Sequence, residues 1–396
     1  MIPRDLDFVQ LSAKEPKLIK YIDSSTGRFE FDNHDALIEL TQLLIRLDLG
    51  YIIKLKRENI CPNYFNRLDY VQFIRQLLLL TPKLENFKIV GLDIGTSQSC
   101  IYPLICSKYI PQILKMYATD IVAEFIDNVV TNVEMNNLQS IIHPELVDKD
   151  TNYFKVLDDE LLDFEITSFT MCNPPFYSSL NEMSSKNGMK GSFIKKLTVG
   201  HPSELITDGG EFKFISKMLS ESELVKNKVA WFTTLVGKHS TVIHLIPLLK
   251  AKENSISYGI HRFKSGSFTT RWLLFWTFKM EYKPPIELFN YYTSKLNNKK
   301  FIKKVSFDNN LSEISIRTKV LSKLKSLPYI SLHLKNTISI TLPGDVFSRS
   351  YRRSLKVKND GSVYIFEIFL ESRYIIWRNG YNYKIFESFV NMINSL

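Results

Sequence analysis

Apolar positions recur with helical spacing through Ala36, Leu37, Ile38, Leu43, Leu44, Ile45 and Leu47. This pattern predicts a densely apolar helix, with Asn33 or Asp35 as cap candidates and Gly50 at its end. Residues 51–56 alternate as a short strand, and Pro62 breaks the chain. Arg67-Leu68-Asp69-Tyr70 opens a second helix through Val71, Phe73, Ile74 and Leu77. Beyond residue 80 the period changes. An apolar run ending in Leu92-Asp93 leads into the small-residue turn Gly95-Thr96-Ser97-Gln98-Ser99, and a helix starts at Ile101. Met116 to Asp120 predicts a second strand, followed by a helix over 122–133 and a strand around Ile141 and Ile142. Phe164, Ile166 and Phe169 lead into Met171-Cys172-Asn173-Pro174-Pro175-Phe176-Tyr177. A helix through Phe214, Ile215, Met218 and Leu219, a strand over 229–236, a helix to Leu249 and an alternating strand over 269–278 complete the succession. Strands alternating with helices predict an α/β fold around a parallel sheet.

The pattern changes again after Tyr282-Lys283-Pro284-Pro285. Short strands are predicted at 314–316, 330–334, 337–342, 362–370 and 374–377. A helix follows from Asn382 through Phe386, Phe389 and Ile393. The expected organisation is an N-terminal helical extension (1–80), a central α/β domain (81–285), a linker (286–300) and a small basic α+β domain (301–396).

Composition refines this picture at three points. No run of about 18 apolar residues occurs, so no membrane-spanning helix is expected. The four cysteines form no CxxC pair, the seven histidines are scattered, and Met1 to Asp5 does not resemble a signal peptide. A reduced intracellular setting without a metal site is therefore expected. The net charge of +10 is concentrated: residues 291–396 hold 18 Lys/Arg against 7 Asp/Glu, while the rest of the chain is balanced. The densest group is Arg349, Arg352, Arg353, Lys356 and Lys358, with Tyr351 interleaved. Such charge suits a polyanion, or serves as a solubilising face.

The candidate chemistry lies at strand ends. Asp120 follows Asp93 by 27 positions, near the spacing of an acid that grips ribose hydroxyls; a plain strand-end or helix-cap acid is the alternative. Pro174 and Pro175 lack backbone N–H groups and stop the strand abruptly. The Asn173 side-chain oxygen and the Pro174 carbonyl, facing one way, would accept both N–H donors of an exocyclic amine. Phe176 would stack on the base. The alternative is a Pro-Pro turn capping an ordinary strand. Lys186, Lys190, Lys195 and Lys196 fall in the polar stretch 178–203 and are candidates for clamping phosphates.

Several pieces together resemble the methyltransferase-like protein sixteen family of U6 small nuclear RNA adenine-N6 methyltransferases. That family is related to the bacterial enzyme that methylates an adenine of large-subunit ribosomal RNA. The matching pieces, in the family's order over about residues 1–280, are Arg67 to Tyr70, Gly91 to Thr96, Ser99 to Pro103, Asn136-Asn137-Leu138, Met171 to Phe176, Gly209-Gly210-Glu211, Gly237-Lys238 and Arg271-Trp272. The resemblance implies a class I S-adenosylmethionine-dependent fold with a Rossmann-like seven-strand sheet and an N-terminal extension that helps bind RNA. It implies that Arg67 contacts the methionine carboxylate and that Asp93, Gly95, Ser99 and Asn173 contribute to the cofactor site. Asp120 would hold the ribose hydroxyls, and Asn173, Pro174, Pro175 and Phe176 would hold the target adenine. Ser97 stands where the family has a second glycine. In animal members a C-terminal RNA-binding region related to kinase-associated domains follows the catalytic domain, and 301–396 is expected to match it. The expected partner is RNA, U6 small nuclear RNA in particular, acted on by a monomer in the nucleus, with the cytoplasm as a second compartment. Ribosomal RNA methylation, protein glutamine methylation and a non-catalytic RNA-binding role stay open as alternatives.

Overall fold

The computed structural model describes residues 4–81, 84, 88–110, 112–158, 167–183, 199–265, 269–285, 288, 302–307, 312–327, 331–334, 337–342, 346–347, 363–380 and 382–396. It divides into two compact units, one comprising 1–78, 86–252 and 262–275, the other 79–85, 253–261 and 276–396.

The first unit opens with three helices, α1 (Phe8–Lys14), α2 (His34–Leu49) and α3 (Tyr64–Leu80). Asn33 caps α2 by accepting from the Asp35 and Ala36 N–H groups, and Gly50 ends it. Then come β1 (Ile89–Ile94), α4 (Ile101–Tyr109), β2 (Ile113–Asp120), α5 (Ala123–Met135), β3 (Ile142–Leu146) and β4 (Thr167–Cys172). A short helix α6 (Pro202–Leu205), α7 (Gly210–Glu221), β5 (Val229–Val236), α8 (His239–Ala251), β6 (Ser257–Ser265) and β7 (Thr269–Thr277) follow along the chain, residues 257–261 of β6 and 276–277 of β7 counting with the second unit. The seven strands lie in the order β3-β2-β1-β4-β5-β7-β6, the class I methyltransferase topology expected from the sequence. Pairing is parallel from β3 through β5. The central strands β1, β4 and β5 are buried at every position, which explains their continuous apolar runs. Trp231, Phe232, Phe275 and Trp276 are fully enclosed, so the late-strand tryptophan at 276 is core.

Two sequence expectations are corrected and one strand is added. Residues 51–56 are extended but join no strand. Their partners are side-chain amides. Asn136 on α5 accepts from Ile52 N–H (2.8 Å) and donates to its carbonyl (2.7 Å). Asn132 does the same at Lys54 (2.7 and 3.2 Å), and Gln98 at Lys56 (2.7 and 3.1 Å). Asn128 adds a donor to the Lys54 carbonyl at 3.0 Å. The spacing explains the fit: four helical residues rise about 6 Å, and two extended residues advance about 6.6 Å. Asn132 and the cap residue Asn136, four apart, therefore serve the alternate residues 54 and 52, while Asn128 adds a second donor at Lys54. In the motif Asn136-Asn137-Leu138, Asn136 makes this clasp, Asn137 turns the chain in the left-handed region (φ 55°), and Leu138 is buried. The strand predicted at 314–316 is instead the start of a helix, described below. β6 was not anticipated from the sequence.

The second unit carries β8 (Ile302–Lys304), α9 (Glu313–Lys325), β9 (Ser331–Leu334), β10 (Ile338–Leu342), β11 (Tyr364–Phe369), β12 (Tyr374–Asn379) and α10 (Tyr383–Asn394). The strands form an antiparallel sheet in the order β8-β12-β11-β10-β9. Ile314 and Ile316 alternate like a strand, yet Ile314 is exposed, while Ile316, Val320 and Leu324 repeat every four residues into the core. Ser312 caps this helix. Phe366 stacks on Phe389 at 4.6 Å and Trp377 on Phe386 at 5.5 Å. Burying each such ring contributes about 1.5–3 kcal/mol. On β12, Arg378 directs two nitrogens at Glu367 of β11 (2.8 and 2.6 Å).

Asn132→Asp keeps the acceptor for Lys54 N–H but sets a lone pair against the Lys54 carbonyl. The expected loss is about 2 kcal/mol, read as a lower urea midpoint. Proteolytic sensitivity should rise at 51–56.

Candidate functional site

The carboxyl edge of the parallel sheet is set by register. Ile94 faces Thr119 of β2 on one side and Cys172 of β4 on the other. Gly95 and Asn173, the first residues past β1 and β4, therefore stand in one row with Asp120, the last residue of β2, which still pairs with Leu146 of β3. Gly95 (φ 74°) starts the turn, and no atom lies within 4 Å of where its Cβ would stand. That is the open, side-chain-free backbone at which a ligand can approach closely. The turn is tied to β2: the Gly95 and Thr96 N–H groups both donate to the Thr119 carbonyl at 2.9 Å. Asp120 accepts from Ser97 N–H at 2.9 Å and Val122 N–H at 3.1 Å. Burial raises its carboxyl above the usual range, against the pull of those donors.

Ser97 adopts a left-handed conformation (φ 56°), which costs a non-glycine residue about 1–2 kcal/mol. Its hydroxyl donates to Glu204 Oε1 at 2.5 Å. Glu204 Oε2 accepts from Ile60 N–H (3.1 Å) and His201 N–H (2.9 Å). Ser99 is buried at the end of the turn.

Asp93 is fully buried, and neither carboxylate oxygen has a hydrogen-bond partner. Burial pushes it up to about 7 against the pull of the Thr96 hydroxyl beside it, with Asp120 pushing up and the Arg67 charge pulling down. Arg67, on α3, donates from Nη1 to the Tyr102 hydroxyl at 2.8 Å and lies over that ring at 5.3 Å. Its Nε is buried without a partner.

At the end of β4 the Asn173 Oδ1 is buried and likewise unpartnered. Tyr70 fixes the approach to it, bonding Thr233 Oγ1 at 2.6 Å and accepting from Cys172 N–H at 3.3 Å. Past the prolines, Tyr177 N–H donates to the Leu205 carbonyl and Thr207 N–H to the Tyr177 carbonyl, both at 2.9 Å. The Phe176 ring occupies the space a side chain at Gly237 would need, 2.5 Å from the ideal Cβ position. The Arg271 guanidinium sits over the ring at 5.4 Å. The Gly237 backbone is held in turn by Glu211, which is buried and accepts from the N–H groups of Gly237 and Lys238, the latter at 3.1 Å. Burial raises the Glu211 carboxyl.

The structure thus brings Arg67, Asp93, Gly95, Ser99, Asp120, Asn173, Pro174, Pro175 and Phe176 to one sheet edge and its flanking elements. Lys186, Lys190, Lys195, Lys196, Arg349, Arg352, Arg353 and Lys356 lie outside the described residues. Tyr70, Tyr102, Glu204, Glu211, Gly237 and Arg271 were not among the expected site residues. A capping-box pattern, His201-Pro202-x-Glu204, was the one local signal for Glu204. Among the described residues no group of three metal-ligating side chains occurs, and no helix is long and apolar enough to cross a membrane.

Comparison with known proteins gives a consistent result. A family pattern described as RNA methyltransferase matches residues 3–280. The U6 small nuclear RNA (adenine-(43)-N(6))-methyltransferase of Schizosaccharomyces pombe is 30% identical over 382 residues, 93% of this chain and 94% of that protein. The RNA N(6)-adenosine-methyltransferase mettl16 of Danio rerio is 28% identical over 69% of this chain, which spans 56% of the fish protein. Among solved structures, the hMettl16 catalytic domain in complex with MAT2A 3'UTR hairpin 1 is similar with a TM-score of 0.60 and 27% identity, over 69% of this chain and 92% of that one. The N-terminal domain of human METTL16 in complex with SAH gives 0.56 and 27%, over 69% and 95%. With a family pattern covering well over half of its length and a sheet of the matching order, this chain belongs to the RNA methyltransferase family.

Proposed function

We propose that the chain is an S-adenosylmethionine-dependent RNA methyltransferase forming N6-methyladenosine, with U6 small nuclear RNA as its substrate. The observation that carries this reading is the set of buried polar atoms without protein partners at one sheet edge: Arg67 Nε, both Asp93 oxygens and Asn173 Oδ1. Leaving each such group unpaired costs about 1–3 kcal/mol, which a ligand that pairs them would recover. Their chemistry suits the donor and acceptor of this reaction. A cationic guanidinium suits the carboxylate of the methionine moiety, a carboxylate suits its ammonium, and Asp120 has lone pairs left for ribose hydroxyls. Bound S-adenosylmethionine supplies an electrophilic methyl group on a sulfonium.

Asn173 Oδ1 and the Pro174 carbonyl accept the two N–H donors of the adenine amine. That interaction turns the nitrogen lone pair out of the ring plane. Phe176 stacks on the base, with the Gly237 backbone setting the ring's position and Arg271 lying over it. These groups orient and exclude water; the site needs no separate general base, because the methylated nitrogen sheds its proton readily. The positive charge of 291–396 and the Lys-rich stretch 178–203 suit phosphate contacts that bring RNA to the site. A spliceosomal RNA substrate suits work in the nucleus, and the chain acts there as a monomer. The resemblance of the C-terminal α+β unit to a kinase-associated domain remains part of this proposal.

Asn173→Ala should reduce methyl transfer to RNA by at least 100-fold while RNA affinity changes little, measured with tritiated methyl donor and small nuclear RNA. Label appearing in protein fractions in place of RNA would favour glutamine methylation. Gly237→Ala forces Phe176 aside and should lower transfer without weakening cofactor binding, measured by calorimetry.

Asp93 adds a pH dependence. Its folded value of about 7 lies above that of an unfolded carboxylate, so the ligand-free fold keeps the proton where the unfolded chain has lost it. Its contribution to stability therefore falls as pH rises from roughly 4 to 7. Cofactor affinity should rise about tenfold between pH 6 and 8 as the carboxylate ionises. Asp93→Asn should flatten that rise while stabilising the ligand-free protein at pH 8 by about 2 kcal/mol, read as a higher melting temperature.

A further inference from the structure

The segment 201–207 touches both halves of the site without belonging to either. Glu204 accepts the Ser97 hydroxyl of the cofactor turn at 2.5 Å. One residue on, the Leu205 carbonyl accepts Tyr177 N–H at 2.9 Å, and Thr207 N–H returns a bond to the Tyr177 carbonyl at 2.9 Å. Tyr177 directly follows Asn173-Pro174-Pro175-Phe176. Glu204 also accepts Ile60 N–H at 3.1 Å, from the N-terminal extension just before the helix that carries Arg67. The segment is itself fixed: His201 and Glu204 close a reciprocal capping box, and His201 packs edge-on against Phe125 at 5.3 Å.

We propose, on the reading of the chain as an S-adenosylmethionine-dependent methyltransferase, that Glu204 is a positioning residue coupling the cofactor turn to the base-holding motif. Ser97, where a glycine would leave no side chain, is the other half of this latch. Its hydroxyl gives Glu204 a handle on the turn. The carboxylate then connects three segments that are distant in sequence and share no backbone hydrogen bond at this point: 95–100, 58–60 and 201–207. A shift of the turn is passed through α6 to Tyr177, and so to Phe176 and Asn173. Cofactor binding and the capacity to hold the base thereby become linked.

The test is a double-mutant cycle on the full chain with Ser97→Ala, Glu204→Ala, the pair together, and Glu204→Gln. Three quantities are read: S-adenosylhomocysteine affinity by calorimetry, kcat and KM for adenosine methylation, and the melting temperature. Glu204→Ala should weaken cofactor affinity about tenfold, within the range usual for coupling between two linked sites. The double variant should be no weaker than Glu204→Ala, because both substitutions open the same latch. Glu204→Gln retains the acceptor for Ile60 and His201 and can donate to Ser97, and should stay within about threefold of wild type. Ser97→Ala, remote from the base motif, should lower kcat even at saturating cofactor. Multiplicative effects in the double variant, or a Ser97→Ala kcat equal to wild type, would overturn the proposal. Should Glu204→Ala melt too low to assay, Ser97→Ala and Glu204→Gln carry the same decision. A wild-type chain that binds S-adenosylhomocysteine but does not methylate RNA would sink the proposed function, while the affinity cycle would still decide whether the latch acts on the cofactor turn.

Discussion

The site depends on how backbone N–H groups are satisfied where the parallel sheet ends. Strands β1, β2 and β4 stop in one row, and the loops beyond them run extended or left-handed with no ladder to join. A buried N–H without a partner is costly, so each loop needs an acceptor brought from elsewhere. Here the acceptors are side chains. Asp120 serves Ser97 and Val122, Glu204 serves Ile60 and His201, Glu211 serves Gly237 and Lys238, and Gln98 with Asn132 and Asn136 serves residues 56, 54 and 52. Three loops of the site are thus positioned by a carboxylate or an amide aimed at their backbone, while Tyr177 past the base-holding motif is held by backbone bonds to Leu205 and Thr207.

This arrangement has an electrostatic side. Asp93, Asp120 and Glu204 gather around the cofactor turn, and burial raises Asp93 and Asp120 above the usual carboxylate range. Interactions between charges strengthen when water is excluded. A cationic ligand relieves that crowding of negative charge, while Arg67 balances it at the other end of the row. Asp120 and Glu204 therefore both anchor loops and set the charge of this edge.

Much of the sheet was legible because β1, β4 and β5 are buried on both faces and read as unbroken apolar runs, ending in an acid or in Asn-Pro-Pro. Residues 51–56 misled because alternation records only that a backbone is extended with one side covered; it does not say whether a strand or a row of amides lies opposite. At 314–316 the same alternation occurred by chance at the start of a helix whose buried positions are Ile316, Val320 and Leu324. Glu204 was hidden for a different reason, as was the role of Glu211, which stood only in the Gly209-Gly210-Glu211 match. Their partners are 107, 144 and 26 residues away, so no local window contains the interaction. Ser97 looked like a departure from the expected glycine until its hydroxyl was seen to have a partner.

The amide clasp on the N-terminal segment is built from neutral groups, Asn128, Asn132, Asn136, Gln98 and three peptide units, beside one solvent-facing ion pair from Lys56 to Glu124 of α5. Its strength is thus insensitive to ionic strength, whereas contacts to phosphate weaken steeply as salt rises. Salt that strips nucleic acid from the chain would leave 52–56 seated on α5 and on the cofactor turn. Product can depart and the next substrate arrive without the donor pocket having to be rebuilt.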